Sequence, residues 1–302
     1  MISQTQFIRS NSLDPWENLA LEEYLLERVE EGRCILYLWQ NQNTVVIGKN
    51  QNAWRECRTE MLESEGGRLA RRLSGGGAVF HDIGNLNFTF LMKKAEYSLE
   101  RQVGVILNAV RKVGISAEMT GRNDIAVDGK KFSGNAFCFK KDNAYHHGTI
   151  LVSANMEKLS RYLQVSAEKI KSKGIQSVQS RVTNLTEYQP ALTIEGMAQA
   201  FLEAFEEEYS PGNKAQVMDS KDFDKDILDK LYEKYSSWEW RYGEAPKFDV
   251  DLDTRFPWGG MEIALQLDKG RVVNAKVYSD AMDADFIATI PSALEGVIFT
   301  SA

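Results

Sequence analysis

Arg71-Arg72-Leu73-Ser74-Gly75-Gly76-Gly77-Ala78-Val79-Phe80-His81 is the stretch on which the reading of this 302-residue chain turns. Three consecutive glycines remove every Cβ along the loop, so backbone N–H groups approach an anion closely and point at it together. Arg71 and Arg72 add charge-assisted contacts, and residues 78–81 read as a strand leaving the loop. A plain flexible turn is the bland alternative; the adjacent arginines and the following strand argue against it. Neither a GxxxxGK run ending in Ser or Thr nor GxGxxG occurs, so the loop is not a Walker P-loop or a dinucleotide fingerprint.

Working outward, Asp82-Ile83-Gly84-Asn85 supplies a turn into a second strand at residues 86–92. Upstream, Asp14-Pro15-Trp16-Glu17 carries the N-cap acid, the N1 proline and the N3 glutamate of a capped helix reaching about Glu30. Residues 34–39 and 44–47, separated by a polar turn, read as a hairpin. Downstream, Leu99, Val103, Ile106, Val110 and Val113 step by three and four, the spacing of one buried helix face, with Gly114 as the stop. Asp128-Gly129 suits a two-residue type I′ turn, which makes residues 125–139 a second hairpin, with 145–152 continuing the strand pattern. Helical spacing returns at 156–163, 194–205 and 223–235. Near Pro246 the pattern changes to short strands, and residues 261–267 alternate strictly before Asp268-Lys269-Gly270. The expected fold is α+β: a mixed-sheet catalytic domain at 1–245 with helices, and a small α+β accessory domain at 250–302.

Composition narrows the function classes. Hydrophobic residues make up 43% and charged ones 26%, ordinary for a globular protein with a sizeable core. A net charge of −7 argues against nucleic acid as a general partner, while Arg68, Arg71 and Arg72 leave a local basic patch beside the glycines. Residues 1–7 lack the basic and apolar segments of a secretory signal, and the apolar run at 35–39 is far short of a membrane span, so a cytoplasmic location is expected. Cys34, Cys57 and Cys138 are odd in number and contain no CxxC pair, which suits reduced thiols.

Gly121-Arg122-Asn123-Asp124 and Lys130-Lys131-Phe132-Ser133-Gly134 flank the predicted hairpin, so both of its ends can border one pocket. There Asp124 can hold magnesium or a ribose hydroxyl, and Lys131 can bridge a carboxylate and a phosphate. On spacing alone, a turn-capping acid and an exposed lysine are the commoner fates. His146 and His147 are adjacent on a strand, so they face opposite ways and do not share a metal. With three histidines and no GxSxG, a Ser-His-Asp hydrolase has little material. Cys138 is the rival nucleophile if a lysine activates it, although burial as a small core residue is more usual.

Taken together, residues 71–87, 121–136, 146–151 and Ser177-Val178-Gln179-Ser180-Arg181-Val182-Thr183-Asn184 resemble the motif set of the lipoate-protein ligase A family. The resemblance extends to Ser236-Ser237-Trp238-Glu239-Trp240 and Phe256-Pro257-Trp258-Gly259-Gly260, at the family's accessory domain. It implies a catalytic domain of the biotin and lipoate ligase type. The reaction it implies has two halves: lipoate and ATP give lipoyl-AMP with magnesium present, and the lipoyl group then passes to an acceptor lysine. Acceptors would be lipoyl domains of 2-oxoacid dehydrogenase acyltransferase subunits or the glycine-cleavage H protein.

By the same resemblance Lys131 contacts both the lipoyl carboxylate and the phosphate. Arg72 and the Gly75, Gly76, Gly77, Ala78, Val79 and Phe80 backbone hold ATP, with Asn85 and Asp124 beside them and Asp124 also the metal candidate. Ser74, His81, His147, Gly148 and Thr149 are the further lipoate-site candidates. The family's accessory domain continues past the position matching Ile298, so its last helical portion is expected to be missing here. Two other readings compete: an ATP-independent octanoyl or lipoyl transferase working through a Cys138 thioester, and a non-catalytic lipoate carrier, which would leave Arg72 and Lys131 unexplained.

Overall fold

The computed structural model describes residues 2–121, 123–164, 182–242, 250–268 and 271–299. Arg122, residues 177–181 of the fourth motif, the 243–249 part of the expected domain boundary and the Lys269-Gly270 pair lie outside the described residues.

The chain opens with β1 (Gln4–Arg9), α1 (Pro15–Arg28), β2 (Arg33–Trp39) and β3 (Thr44–Ile47). Two short helices, α2 (Ala53–Glu56) and α3 (Thr59–Ser64), lead to β4 (Arg68–Arg71), the glycine loop, β5 (Val79–His81) and β6 (Asn85–Lys93). Then come α4 (Leu99–Lys112), β7 (Glu118–Thr120), β8 (Asp124–Val127), β9 (Lys130–Lys140), β10 (Asn143–Leu151) and α5 (Met156–Tyr162). Beyond them lie α6 (Ile194–Tyr209), β11 (Gln216–Val217), α7 (Lys225–Ser236) and α8 (Trp238–Arg241). The last group is β12 (Val250–Phe256), β13 (Gly259–Asp268), β14 (Arg271–Ser279) and α9 (Ala284–Leu294).

These strands form an eight-stranded mixed sheet, β11-β1-β2-β6-β10-β9-β8-β7, and a three-stranded sheet, β4-β3-β5. A separate antiparallel sheet, β12-β13-β14, carries α9. The α+β expectation therefore holds. Among the described residues no helix is long and apolar enough to cross a membrane.

Period-two alternation divides the large sheet into two buried faces. On β2, Cys34, Leu36 and Leu38 join the core under α4 and α6, while Ile35, Tyr37 and Trp39 face the core under α1 and α7. Phe88, Phe90, Phe201 and Phe205 fill the first core, with Phe88 and Phe201 stacked at 5.2 Å. The small sheet lies over the second face. Its Val46 and Ala70 point toward β2, and Val45, Ile47, Leu69 and Phe80 point away, into a third cluster.

Local signals explain several elements. Asp14 accepts the Trp16 N–H at 2.8 Å and Pro15 opens α1, as its capping pattern requires, although the helix ends at Arg28. Asp128 and Gly129 both take positive φ, 49° and 73°, the pair that a type I′ turn needs between β8 and β9. The hairpin expected from residues 34–39 and 44–47 does not form. β2 pairs with β1 and β6, whereas β3 pairs with β4 and β5. Both strands are buried on both faces, so no alternation ties them to each other, and Asn43, at φ 47°, turns the chain onto the second sheet.

Candidate active site

β9 carries a register break opposite β8. Ile125 pairs with Ser133 and Ala126 with Lys131, which leaves Phe132 as one extra residue. A bulge of this kind inverts the alternation of everything before it. Phe132 enters the α4/α6 core, and Lys131 emerges on the same face as Gly134 and Ala136. That face is one wall of a cavity of about 140 Å³. The small sheet forms the opposite wall, through Val46, Val79 and His81, and the glycine loop forms the lip, through Gly76, Gly77 and Ala78.

The lip is not a slack turn. Arg72 is buried, and its Nη2 donates to the carbonyls of Gly75 (2.7 Å) and Gly77 (2.8 Å), its Nη1 to Val46 (3.2 Å), and its Nε to Ser74 Oγ (3.0 Å). In a trans peptide the C=O and the next N–H point to opposite sides. Tying down two carbonyls therefore turns the Gly76 and Ala78 N–H groups outward. Gly76 requires its glycine for this path, at φ 87°. Its N–H donates to the Ala281 carbonyl at 3.0 Å, so the accessory segment already tests the loop with an oxygen acceptor. Burial lowers the Arg72 pKa to about 10, which leaves the guanidinium charged at neutral pH.

Arg71 differs. Its guanidinium is committed to the carbonyls of Gly48, Lys49, Gln51, Trp240 and Arg241, at 2.7–3.2 Å. It is a structural clamp between the β3–α2 loop and α8, not an anion ligand as the paired arginines suggested. Ser74 lies behind the lip, where it meets His147 Nε2 at 2.8 Å. Ser74 Oγ also accepts from Arg72 Nε, and the Glu22 carboxylate, which can only accept, lies 2.8 Å from His147 Nδ1, so Nδ1 carries the hydrogen that points at it. Glu22 also accepts from Thr89 (2.7 Å), which in turn accepts from Trp39 Nε1 (3.1 Å). The chain Arg72–Ser74–His147–Glu22–Thr89–Trp39 thus ties the lip to the cavity floor.

Lys131 Nζ sits 2.6 Å from Asp124 at the mouth, with both side chains half-exposed. Thr149 Oγ1 accepts the Gly134 N–H nearby at 3.2 Å. His147, Gly148 and Thr149 line the cavity; His146 points to the other face, where it meets Gln102 (2.9 Å) and Asn135 (2.8 Å). Besides Ser74, four expected contributors are not in the cavity lining: Gly75 packs on Ala281, the Phe80 side chain enters the third cluster, Asn85 Nδ2 donates to Asn87 Oδ1 at 2.9 Å, and Asp124 reaches it only through Lys131. Among the described residues no group of three or more His, Cys, Asp or Glu side chains, Asp124 included, could hold a metal ion. Cys138 does not line the cavity; it packs toward α1 and α7, and burial pushes its thiol up to about 12.

Sequence reasoning missed Glu22, Trp39, Asn87, Asn123 and Asn135. Glu22 had a signal, since it shares the apolar helix face of Leu19 and Leu26 and is 1% exposed. An acid there needs a buried partner.

Residues 14–206 match the model of the lipoyl protein ligase A/B catalytic domain, and residues 245–302 that of the bacterial lipoate protein ligase C-terminus. Among solved structures, the chain is similar to Plasmodium falciparum LipL1 in complex with lipoate, at 30% identity and TM-score 0.86, over 98% of this chain and 91% of that one. It is also similar to a bipartite lipoate protein ligase of Thermoplasma acidophilum, described with its E2 lipoyl domain, at 27% identity and TM-score 0.70, over 83% and 100% of the two chains. A lipoate-protein ligase A bound with ATP matches at 25% identity and TM-score 0.69, over 80% and 99%.

Proposed function

The chain belongs to the lipoate-protein ligase family, a family of lipoyl-ligating and lipoyl-transferring enzymes, and from that premise we propose that it activates lipoate with ATP and transfers the lipoyl group to a lysine of an acceptor lipoyl domain. The observation that carries this reading is the β9 bulge, which puts Lys131 on the face of the sheet that lines the same cavity as the glycine lip. An apolar cavity behind the mouth suits an acyl chain, at about 0.8 kcal/mol for each buried methylene.

In the first half-reaction a lipoate carboxylate oxygen attacks the ATP α-phosphorus and pyrophosphate leaves. Two anions must meet, and the Lys131 ammonium and the outward N–H group of Ala78 stabilise the charge that accumulates between them, the Gly76 N–H being held by Ala281. Arg72 acts from behind, fixing the loop and adding its positive charge. In the second half-reaction the acceptor amine attacks the carbonyl carbon, the C–O bond to AMP breaks, and the amine loses its proton. Asp124 fits a magnesium ion only as a single carboxylate alongside phosphate oxygens and water, the usual pattern for that ion at nucleotides. When bound, the metal would neutralise phosphate charge. The homologues described with lipoate, with ATP and with an E2 lipoyl domain support the substrates and the acceptor class.

The thioester route through Cys138 gains nothing from the geometry, since the thiol lies off the cavity and is held in its protonated form. Lipoate-dependent exchange of labelled pyrophosphate into ATP separates the two. The expected outcome is exchange by the intact protein, lost in Lys131→Ala and retained in Cys138→Ala. No exchange by the intact protein, or the reverse pattern in the variants, overturns the proposal.

A further inference from the structure

The cavity runs across the large sheet, from Lys131 and Gly134 on β9, past Thr149 on β10 and Asn87 on β6, to Trp39 on β2. Three inter-strand spacings make that about 14 Å. The Lys131 end is charged and half-exposed, and the far end is walled by Trp39, Leu19, Val46 and Val79. Two polar groups with a nitrogen unpartnered among the described residues stand there, Asn87 through its Nδ2, opposite Trp39 in the register, and His81. His81 is 3% exposed, packs edge-on against Trp39 at 6.0 Å, and its Nε2 has no hydrogen-bond partner among the described residues.

Neighbouring bonds fix which nitrogen carries the proton. The carbonyls of Ser12 (3.1 Å) and Gln40 (2.8 Å) accept from Asn18 Nδ2, which sets the orientation of that amide. Asn18 Nδ2 also donates to Asn41 Oδ1 (3.0 Å), so Asn41 presents its Nδ2 to His81 Nδ1 at 3.1 Å. His81 Nδ1 therefore accepts, and Nε2 holds the hydrogen. Burial, helped by the charge of Arg72, lowers the pKa to about 3, so the ring is neutral at physiological pH. The result is a rigid N–H donor among Trp39, Leu19, Val46 and Val79, with Asn87 Nδ2 on β6 as the second unpartnered donor at that end.

An unpaired buried donor costs about 1–3 kcal/mol, and a plain alkyl tail leaves it unpaired. A thioether-like sulfur accepts hydrogen bonds, if weakly, and also suits the aromatic wall. We infer that His81 is a specificity-determining residue whose Nε2–H donates to a sulfur of the substrate's dithiolane ring, so that the site distinguishes lipoate from acids of the same length without sulfur. This inference rests on lipoate being the acid bound.

The test compares lipoate with 5-cyclopentylpentanoate, in which a methylene replaces each sulfur at nearly the same shape. Calorimetric titration of the intact protein is expected to give about tenfold tighter binding of lipoate. In His81→Phe the two ligands are expected to bind within about twofold of each other, because the preference needs both the sulfur and the donor. Loss of packing alone would weaken both ligands together. An equal preference in the intact protein and the variant overturns the inference. Nitrogen-labelled histidine in the unmodified protein gives a second readout that needs no variant: the His81 Nε2 resonance should move on adding lipoate and much less on adding the carbocycle, and equal shifts would also overturn it. Both readouts omit ATP. Absent lipoate-dependent exchange would therefore sink the proposed reaction, whereas intact exchange with a His81-independent preference sinks only this inference.

Discussion

Gly75 and Gly77 are near neighbours in the loop, yet a methyl group would meet different surroundings at each. At Gly75 it would come within 2.3 Å of the Ala281 carbonyl, while at Gly77 it would meet nothing within 4 Å and would project at the cavity lip. Gly77→Ala should therefore leave stability within about 0.5 kcal/mol of the parent, as for an open site, and still raise the KM for ATP severalfold. Urea midpoints and initial rates check the two halves of that statement. The glycine run was legible in sequence because no other residue type permits such close backbone approach. The division of labour between Arg71 and Arg72 was not. Both are arginines one residue apart, and only the folded chain shows that one is spent on five carbonyls and the other on the loop.

Among the elements, α1 is tied to its surroundings by a buried acid. Glu23 is 3% exposed and accepts from Lys140 on β9 (3.0 Å) and Lys234 on α7 (2.6 Å). Burial alone would raise its carboxyl pKa, but the bonds and charges of Lys234 and Lys140 outweigh that and hold it below the ordinary 4.5. A lowered acid stabilises the fold above its unfolded value and loses that contribution as pH falls through the folded value. Glu23→Gln should accordingly destabilise the protein by about 2 kcal/mol at neutral pH. The gap to the parent should close as the pH drops well below 4.5. Denaturant unfolding across pH checks both the size and the sign. The same scale shows where pattern reading stops: Asp128-Gly129 announces the β8–β9 turn through its own backbone preferences, but the Phe132 bulge arises from pairing with β8 and has no local signature. Likewise β2 and β3 look like a hairpin because they are adjacent, and only the burial of all their faces sends them to different sheets.

Across the whole molecule, the cavity exists because two sheets face each other over β6 and β10, while the β12–β14 unit closes on the same lip. Ser279 N–H donates to Asn50 O (2.7 Å), Asn50 Nδ2 to Ala284 O (2.8 Å), and Lys49 pairs with Asp285 (3.1 Å) beside the Gly76–Ala281 bond. Short-range signals placed the glycine lip, Lys131 and His147 in one neighbourhood only through the family resemblance; spacing alone left Asp124 and Lys131 as surface groups. The central claim is that this cavity joins lipoate to AMP before transfer. Its most direct test supplies lipoate with heavy oxygen in its carboxyl group, together with ATP and an acceptor lipoyl domain, and weighs the AMP released. Attack by the carboxylate on the α-phosphorus, followed by cleavage of the acyl C–O bond, predicts one heavy oxygen in each AMP formed per lipoylated lysine. Lipoylation that proceeds with unlabelled AMP, or with no AMP at all, contradicts it.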